Sequence, residues 1–346
     1  MPADMIALVE SNTCGFPSEM ELNQTAKTMT QIQWFPGHMH KARLQIKETL
    51  PRVDLVMEVL DARIPYSSEN PMLAELRGEK PCLKLLTKSD LADADRTAEW
   101  LDHLENQRGV QARAVSAKQP GQMHRLTDVC RQMMRETIAA GNPITAMVVG
   151  IPNVGKSTLI NKLVGKTVAK TGNEPAITKQ QQTVRIGDNV RILDTPGVLW
   201  PNVENPKSGM RLAATGAIRE TAMDYADAGY FAADYLLHHY GDRLRERYSM
   251  DELPPTQGEL IDAIGAKRGC LNKRGIVDID RACRIFIHDF RSGLLGPLTL
   301  ETPEMMERER VEVSVAQAEK ATKKQAHKAE RRARFKAKRE ARRKDR

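Results

Sequence analysis

The sequence predicts an α/β fold: a mostly parallel, helix-covered sheet, followed by a smaller all-α region and a basic tail. Three observations predict it. Six short apolar segments recur between residues 53 and 197, with helical stretches between most of them. From about residue 206 the apolar period turns helical. Residues 320–346 carry fourteen Lys or Arg against three acids, a local +11 that leaves −3 for the other 319 residues of a chain of net charge +8.

Residues 1–29 are polar and without period, so they are expected to be disordered. They hold no basic segment followed by an apolar core, hence no signal peptide. Strands are expected in "VDLVMEVLDA" (53–62), "PCLKLLTKSD" (81–90), "VQARAVSA" (110–117), "PITAMVVG" (143–150), "QTVRIG" (182–187) and "VRILDTPG" (190–197). "TAEWLDHLENQRG" and "TLINKLVG" are expected as connecting helices. "DIDRACRIFIHDF" puts Ile279, Ala282, Cys283, Phe286 and Phe290 on one helical stripe. The expected boundaries are 30–205 for the α/β domain, 206–315 for the helical domain and 316–346 for a disordered or helical tail.

Composition excludes several classes. The longest apolar runs, such as "ITAMVVGI", fall far short of the ~20 residues that span a membrane. Cys14, Cys82, Cys130, Cys270 and Cys283 are scattered without CxxC spacing, which points to reduced thiols in a cytoplasmic protein. The basic tail implies a polyanionic partner.

"GIPNVGKST" fits G-x-x-x-x-G-K-[ST] between an apolar strand and a helix, the context a phosphate-binding loop requires. Gly150, Ile151, Pro152, Asn153, Val154 and Gly155 form the loop. Lys156 is expected on the β- and γ-phosphates, Ser157 on Mg²⁺, and Thr158 at the start of a helix whose positive end favours the anion. "DTPG", about forty residues on, supplies Asp194 as an outer carboxylate for Mg²⁺, and the Gly197 amide as a γ-phosphate sensor. Thr178 is the candidate mobile hydroxyl on Mg²⁺.

An aspartate at a strand end accepts two hydrogen bonds from guanine N1–H and its 2-amino group, a pair adenine lacks. Asp90 of "TKSD" has this place, with Lys88 along the base and Thr87 opening the motif. "VSAK" adds the Ala117 amide, supported by Ser116 and Lys118. Either tetrapeptide alone carries little information. Together, both after strands, they point to one guanine site for GTP or GDP. All these motifs lie at carboxyl ends of strands, where such sheets bind ligands.

The order "TKSD", "SAK", "GIPNVGKST", Thr178, "DTPG" resembles a circularly permuted P-loop GTPase. "QWFPGHMHKA", "DARIPYSSENP", "RLAATGAI" and "KRGIVDIDRACRIFIHDFRSGLLGPLTLE" resemble the YlqF/RbgA family of ribosome-biogenesis GTPases, over residues 31 to 302. The resemblance implies a GTP-hydrolysing factor that binds the large ribosomal subunit and its rRNA late in assembly, with the helical domain on rRNA; neither DNA nor membrane is an expected partner. It also implies a catalytic role for His38, which on the residues alone is more often a structural loop histidine, and K⁺ held near Asn153. The family has Asn where this chain has Thr87. Val198 stands where Ras-like enzymes place a water-orienting glutamine. Lys267, Arg268, Lys273, Arg274, Arg281, Arg284 and Arg291 are the candidate RNA contacts, or a solvated helix surface. A nucleotide-gated RNA-binding switch with little turnover stays open as the alternative function, as does a P-loop ATPase with a chance "TKSD".

Overall fold

The computed structural model describes residues 37–344 apart from 167–181, 187–188, 202 and 219–223. Helix α1 (Gly37–Thr49) leads into β1 (Leu55–Asp61). The short helices α2 (Pro65–Ser68) and α3 (Pro71–Arg77) precede β2 (Cys82–Thr87). Then come α4 (Ala94–Glu105), β3 (Val110–Ala114), α5 (Pro120–Met133), α6 (Arg135–Ala139) and β4 (Ile144–Val149). Helix α7 (Lys156–Val164), β5 (Gln182–Ile186) and β6 (Val190–Asp194) complete the α/β part. All six expected strands form.

The strands lie in the order β3-β2-β1-β4-β6-β5. Each neighbouring pair is parallel except β5–β6, which is an antiparallel hairpin at the edge. β1 and β2 are buried along their whole length, as strands covered on both faces must be. Two of their charged residues, Glu58 and Lys84, are register partners. Lys84 Nζ donates to Glu69 Oε1 at 2.6 Å and Gln107 Oε1 at 2.9 Å. Burial beside Glu69 pushes the Glu58 carboxyl up to about 7.

The remainder is helical: α8 (Pro206–Thr215), α9 (Tyr225–His239), α10 (Gly241–Tyr248), α11 (Gln257–Lys267) and α12 (Ile279–Ser292). Helix starts follow local chemistry. Asn70, Asp93, Asn205, Asp224, Thr256 and Asp278 each accept a hydrogen bond from a backbone amide of the first turn they cap. Ala282, Cys283, Phe286 and Phe290 of α12 are buried, with Ile279 partly so. Gly229 lets α9 close on this stripe, since a Cβ there would lie 2.7 Å from Cys283 Sγ.

The chain then returns to the α/β part. Leu298 and Leu300 amides donate to Leu91 and Arg63 carbonyls, and Trp100 Nε1 donates to the Glu301 carbonyl. Helix α13 (Pro303–Lys344) follows and runs unbroken across the expected boundary at 315.

Candidate active site

The strand ends gather the motifs. β2 ends at Thr87, and Lys88 turns the chain with φ 57°, a left-handed backbone that costs a non-glycine residue about 1–2 kcal/mol. Its side chain holds it there: Nζ donates to Asp61 Oδ2 and the Asn153 carbonyl, each at 2.8 Å. Asp61 ends β1 and is also gripped by Arg63 through Nε and Nη2. Burial acts to raise the Asp61 pKa, but Arg63 and Lys88 outweigh it and hold the carboxyl well below the usual range. Arg63 in turn lies 5.1 Å from the Phe290 ring, so this network reaches α12.

Asp90, at the turn after Lys88, joins the "TKSD" loop to "VSAK". Its Oδ1 accepts from Ser116 Oγ at 2.7 Å, and its Oδ2 pairs with Lys118 Nζ at 2.9 Å. Burial pushes against ionisation, but these two partners hold the Asp90 pKa below its ordinary value. Ala117 and Lys118 are exposed beside it.

The loop from Gly150 to Gly155 connects β4 to α7. At Gly150 a Cβ would lie 2.5 Å from the Val59 carbonyl, so glycine is required. Thr87 Oγ1 stands within hydrogen-bond reach of both the Val154 and Leu60 carbonyls. This hydroxyl therefore ties the "TKSD" loop to the phosphate-type loop. Lys156 is buried, with Nζ on the Gly150 and Ile151 carbonyls at 3.0 and 2.7 Å. Burial draws its pKa down to about 8, against the pull of Asp194.

β6 delivers Asp194 beside β4, with Val148 as its register partner. Both carboxylate oxygens are buried without a hydrogen-bond partner among the described residues. Burial pushes the group up to about 6, with Lys156 opposing. A buried, unpartnered carboxylate near a phosphate-type loop fits a divalent cation. The next residues fold over the loop. Val198 N–H donates to the Gly150 carbonyl, and its own carbonyl accepts from Asn70 Nδ2 at 2.8 Å. A Cβ on Gly197 would lie 2.8 Å from Pro152 Cα, so only glycine allows this approach.

Asn153 Nδ2 donates to the Gly216 carbonyl at 2.7 Å. Gly216 ends α8, and Arg291 of α12 caps the same turn through the Ala213 and Ala214 carbonyls. Arg291 is thus engaged within the chain. Lys267 donates to the Ser249 carbonyl, and Arg268 lies 3.7 Å from Asp289. Lys273, Arg274 and Arg281 are exposed, as is Arg284, which pairs with Asp280. His38 lies in the first turn of α1 and its side chain, like all of Thr178, falls outside the described residues.

Residues 145–253 match the family model described as "50S ribosome-binding GTPase". Ribosome biogenesis GTPase A of Bacillus pumilus is 44% identical over 280 residues, covering 79% of this chain and 99% of that one. The chain belongs to the ribosome biogenesis GTPase A (YlqF/RbgA) family. The Thermotoga maritima member is 30% identical over 273 residues, 79% of this chain and 95% of its own. A solved structure described as GDP-bound YlqF superposes with a TM-score of 0.54 at 27% identity, covering 75% of this chain and 99% of that one. The protein is therefore a GTPase of ribosome biogenesis, with the nucleotide motifs of the YlqF/RbgA family in permuted order on a mostly parallel sheet.

Sequence reading singled out the motifs but missed the residues that bind them together. Asp61, Arg63 and Asn70 sit in "DARIPYSSEN", quoted only as a likeness. An Asp ending a mostly apolar strand, two residues before an Arg, was the available signal.

Proposed function

We propose that this GTPase acts on the large ribosomal subunit in the cytoplasm during late maturation, contacting its rRNA through a helical domain spanning 206–315. Asp90 reads guanine, Lys156 meets the β- and γ-phosphates, and Ser157 and Thr178 would hold Mg²⁺, with Asp194 as an outer carboxylate through water. Mg²⁺, when bound, neutralises charge between the β- and γ-phosphates. Asn153 holds K⁺ against the phosphates, and His38 assists attack on the γ-phosphate.

The observation that carries the reading is the chain of contacts from Asn153 through Gly216 to Arg291. It joins the nucleotide loop to the helical region by hydrogen bonds. A ligand that moves Asn153 therefore makes different contacts with the end of α8, which is what a nucleotide-dependent change of docking requires. Val198 supports a second part of the reading. It is 1% exposed and apolar, so it offers no hydrogen bond to an attacking water. Low turnover of the protein alone follows, and stimulation by the subunit is part of the proposal.

GTP turnover measured with and without large subunits tests this, alongside subunit pelleting with GDP and with a non-hydrolysable GTP analogue. Stimulation of tenfold or more, with analogue-dependent pelleting, is expected. Equal turnover with nucleotide-gated binding would establish the alternative, an RNA-binding switch. Unchanged rates on replacing K⁺ by Na⁺ would remove the potassium assignment, and full stimulated turnover in His38→Ala would remove the histidine.

A further inference from the structure

The end of the chain is a helix without a hydrophobic face, fastened firmly at one end. Its first turns are packed. Met306 is buried against the cluster around Trp100, and Glu309 is 3% exposed. Glu309 takes both Arg211 terminal nitrogens, at 2.9 and 2.7 Å, and accepts from Asn205 Nδ2 at 2.6 Å. Arg211 lies on α8, the helix that follows the "DTPG" segment. Beyond residue 315 the described side chains are exposed.

From 316 to 344 the helix would measure ~44 Å at 1.5 Å per residue. At 100° per residue its charges segregate. Positions Lys320, Lys324, Arg331, Lys338 and Arg342 share one stripe; Lys323, Lys328, Arg332, Arg334, Arg339 and Arg343 spread to either side of it, and Lys336 and Lys344 lie towards the opposite side. Opposite fall Ala326, Ala329, Ala333 and Glu340, with Glu319 and Glu330 at the edge of that side. A membrane-surface helix needs large apolar residues on one side, and Phe335 is the only one here. A helix that docks in a protein groove needs apolar anchors at three-and-four spacing, which are absent too. What remains complementary is a polyanion of regular charge. The relative from Bacillus pumilus is matched over 99% of its length by 79% of this chain, so a fifth of this chain is additional to it.

We propose that residues 316–344 form a basic helical arm that binds the phosphate backbone of double-helical RNA through one face, held to the GTPase body by the Arg211–Glu309 clamp. The choice of RNA over other polyanions rests on the reading of the protein as an rRNA-contacting factor. The phosphate contacts are sequence-independent, and each releases counterions, so binding weakens steeply with salt.

Binding of a 20-base-pair RNA duplex is measured against KCl concentration for three proteins. These are the full chain, a chain ending at Val315 that keeps Met306 and Glu309, and a full chain with the five stripe residues changed to glutamine. Glutamine preserves helix propensity. The slope of log K against log salt is expected to fall by about 3 to 4 in both variants, at ~0.7–0.9 per phosphate. Unchanged basal GTP turnover will show that the body is intact. A third variant, with Glu319, Glu330 and Glu340 changed to glutamine, keeps the basic face and is expected within threefold of the full chain. An unchanged slope in the truncated protein overturns the arm, and so does tighter binding to phosphatidylserine vesicles than to the duplex. Tenfold tighter binding by the third variant overturns the one-sided face. Pelleting with large subunits separates this inference from the reading it rests on. A full chain that binds duplex but not subunits refutes the subunit assignment and leaves the arm standing. Truncation without effect on duplex or subunit binding refutes the arm alone.

Discussion

Thr87→Val removes one hydroxyl and keeps nearly the same shape, which isolates the tie between the two nucleotide loops. Thr87 is 7% exposed, and Oγ1 faces the Val154 and Leu60 carbonyls. Its single proton serves one of them at a time. The variant leaves a buried carbonyl unpaired beside a methyl group, at a cost of about 1–3 kcal/mol. That cost divides between two observables. If the loops keep their relative position without nucleotide, it appears as lost stability, about 2–4 °C in Tm per kcal/mol for a protein of this size class. If they separate, nucleotide must bring them together again, and affinity falls by about 5- to 100-fold. Lys88 still bridges Asp61 and the Asn153 carbonyl in the variant, so partial retention of the arrangement is expected. Titration of mant-GDP together with thermal unfolding reads both shares. Thr87→Ser retains the hydroxyl and is expected to bind as the natural protein does. Should Thr87→Val match the natural protein within twofold in affinity and 2 °C in Tm, the tie contributes nothing. Should serine fail as valine does, the effect belongs to packing and not to the hydrogen bond.

Three further outcomes are expected. Asp90→Asn exchanges an acceptor for a donor opposite guanine N1–H, so GTP affinity falls by at least tenfold and preference moves towards xanthine nucleotides; retained GTP preference would contradict the role. Asp194→Asn removes a buried, unpartnered carboxylate whose pKa is raised to about 6, so the nucleotide-free protein gains about 2 kcal/mol at pH 8 while Mg²⁺-dependent GTP binding weakens. A variant that is less stable yet binds Mg²⁺–GTP normally would sink this reading. Glu58 stays neutral to about pH 7 in the fold but ionises above about 4.5 when unfolded, so its contribution is complete below 4.5 and is lost as pH rises to 7. Glu58→Gln should raise Tm at pH 8, by up to about 3 kcal/mol of stability, and flatten the profile between pH 5 and 7; an unaltered profile would exclude Glu58 as its source.

The sheet was legible because its strands are buried on both faces and read as apolar runs bounded by turn residues. The nucleotide motifs were legible because backbone approach restricts their residue types, as at Gly150 and Gly197. What joins the motifs was not. Asn70 lies 128 residues from the Val198 carbonyl it holds, and Glu301 lies 234 residues from Ser67. No local pattern encodes a partner at that separation. Arg291 shows the same limit from the other side. By sequence it is one of several basic residues on a helix; in the fold its guanidinium caps α8 and lies 5.7 Å from the Tyr225 ring. Thr87 is another case: its sequence position does not show that its hydroxyl reaches the Val154 carbonyl, 67 residues away.

The strand order has a consequence for how the chain is made. β1, β2 and β3 are contiguous in sequence and adjacent in the sheet, so the base-reading half pairs with itself as it leaves the ribosome. The phosphate-type loop arrives only when β4 inserts on the far side of β1, with Ala146 against Leu55. Arg211 then waits for Glu301 and Glu309, about ninety to a hundred residues later, before its charge is matched. The residues of "TKSD" and "VSAK" are therefore made and can pair before the G-x-x-x-x-G-K-S loop leaves the ribosome.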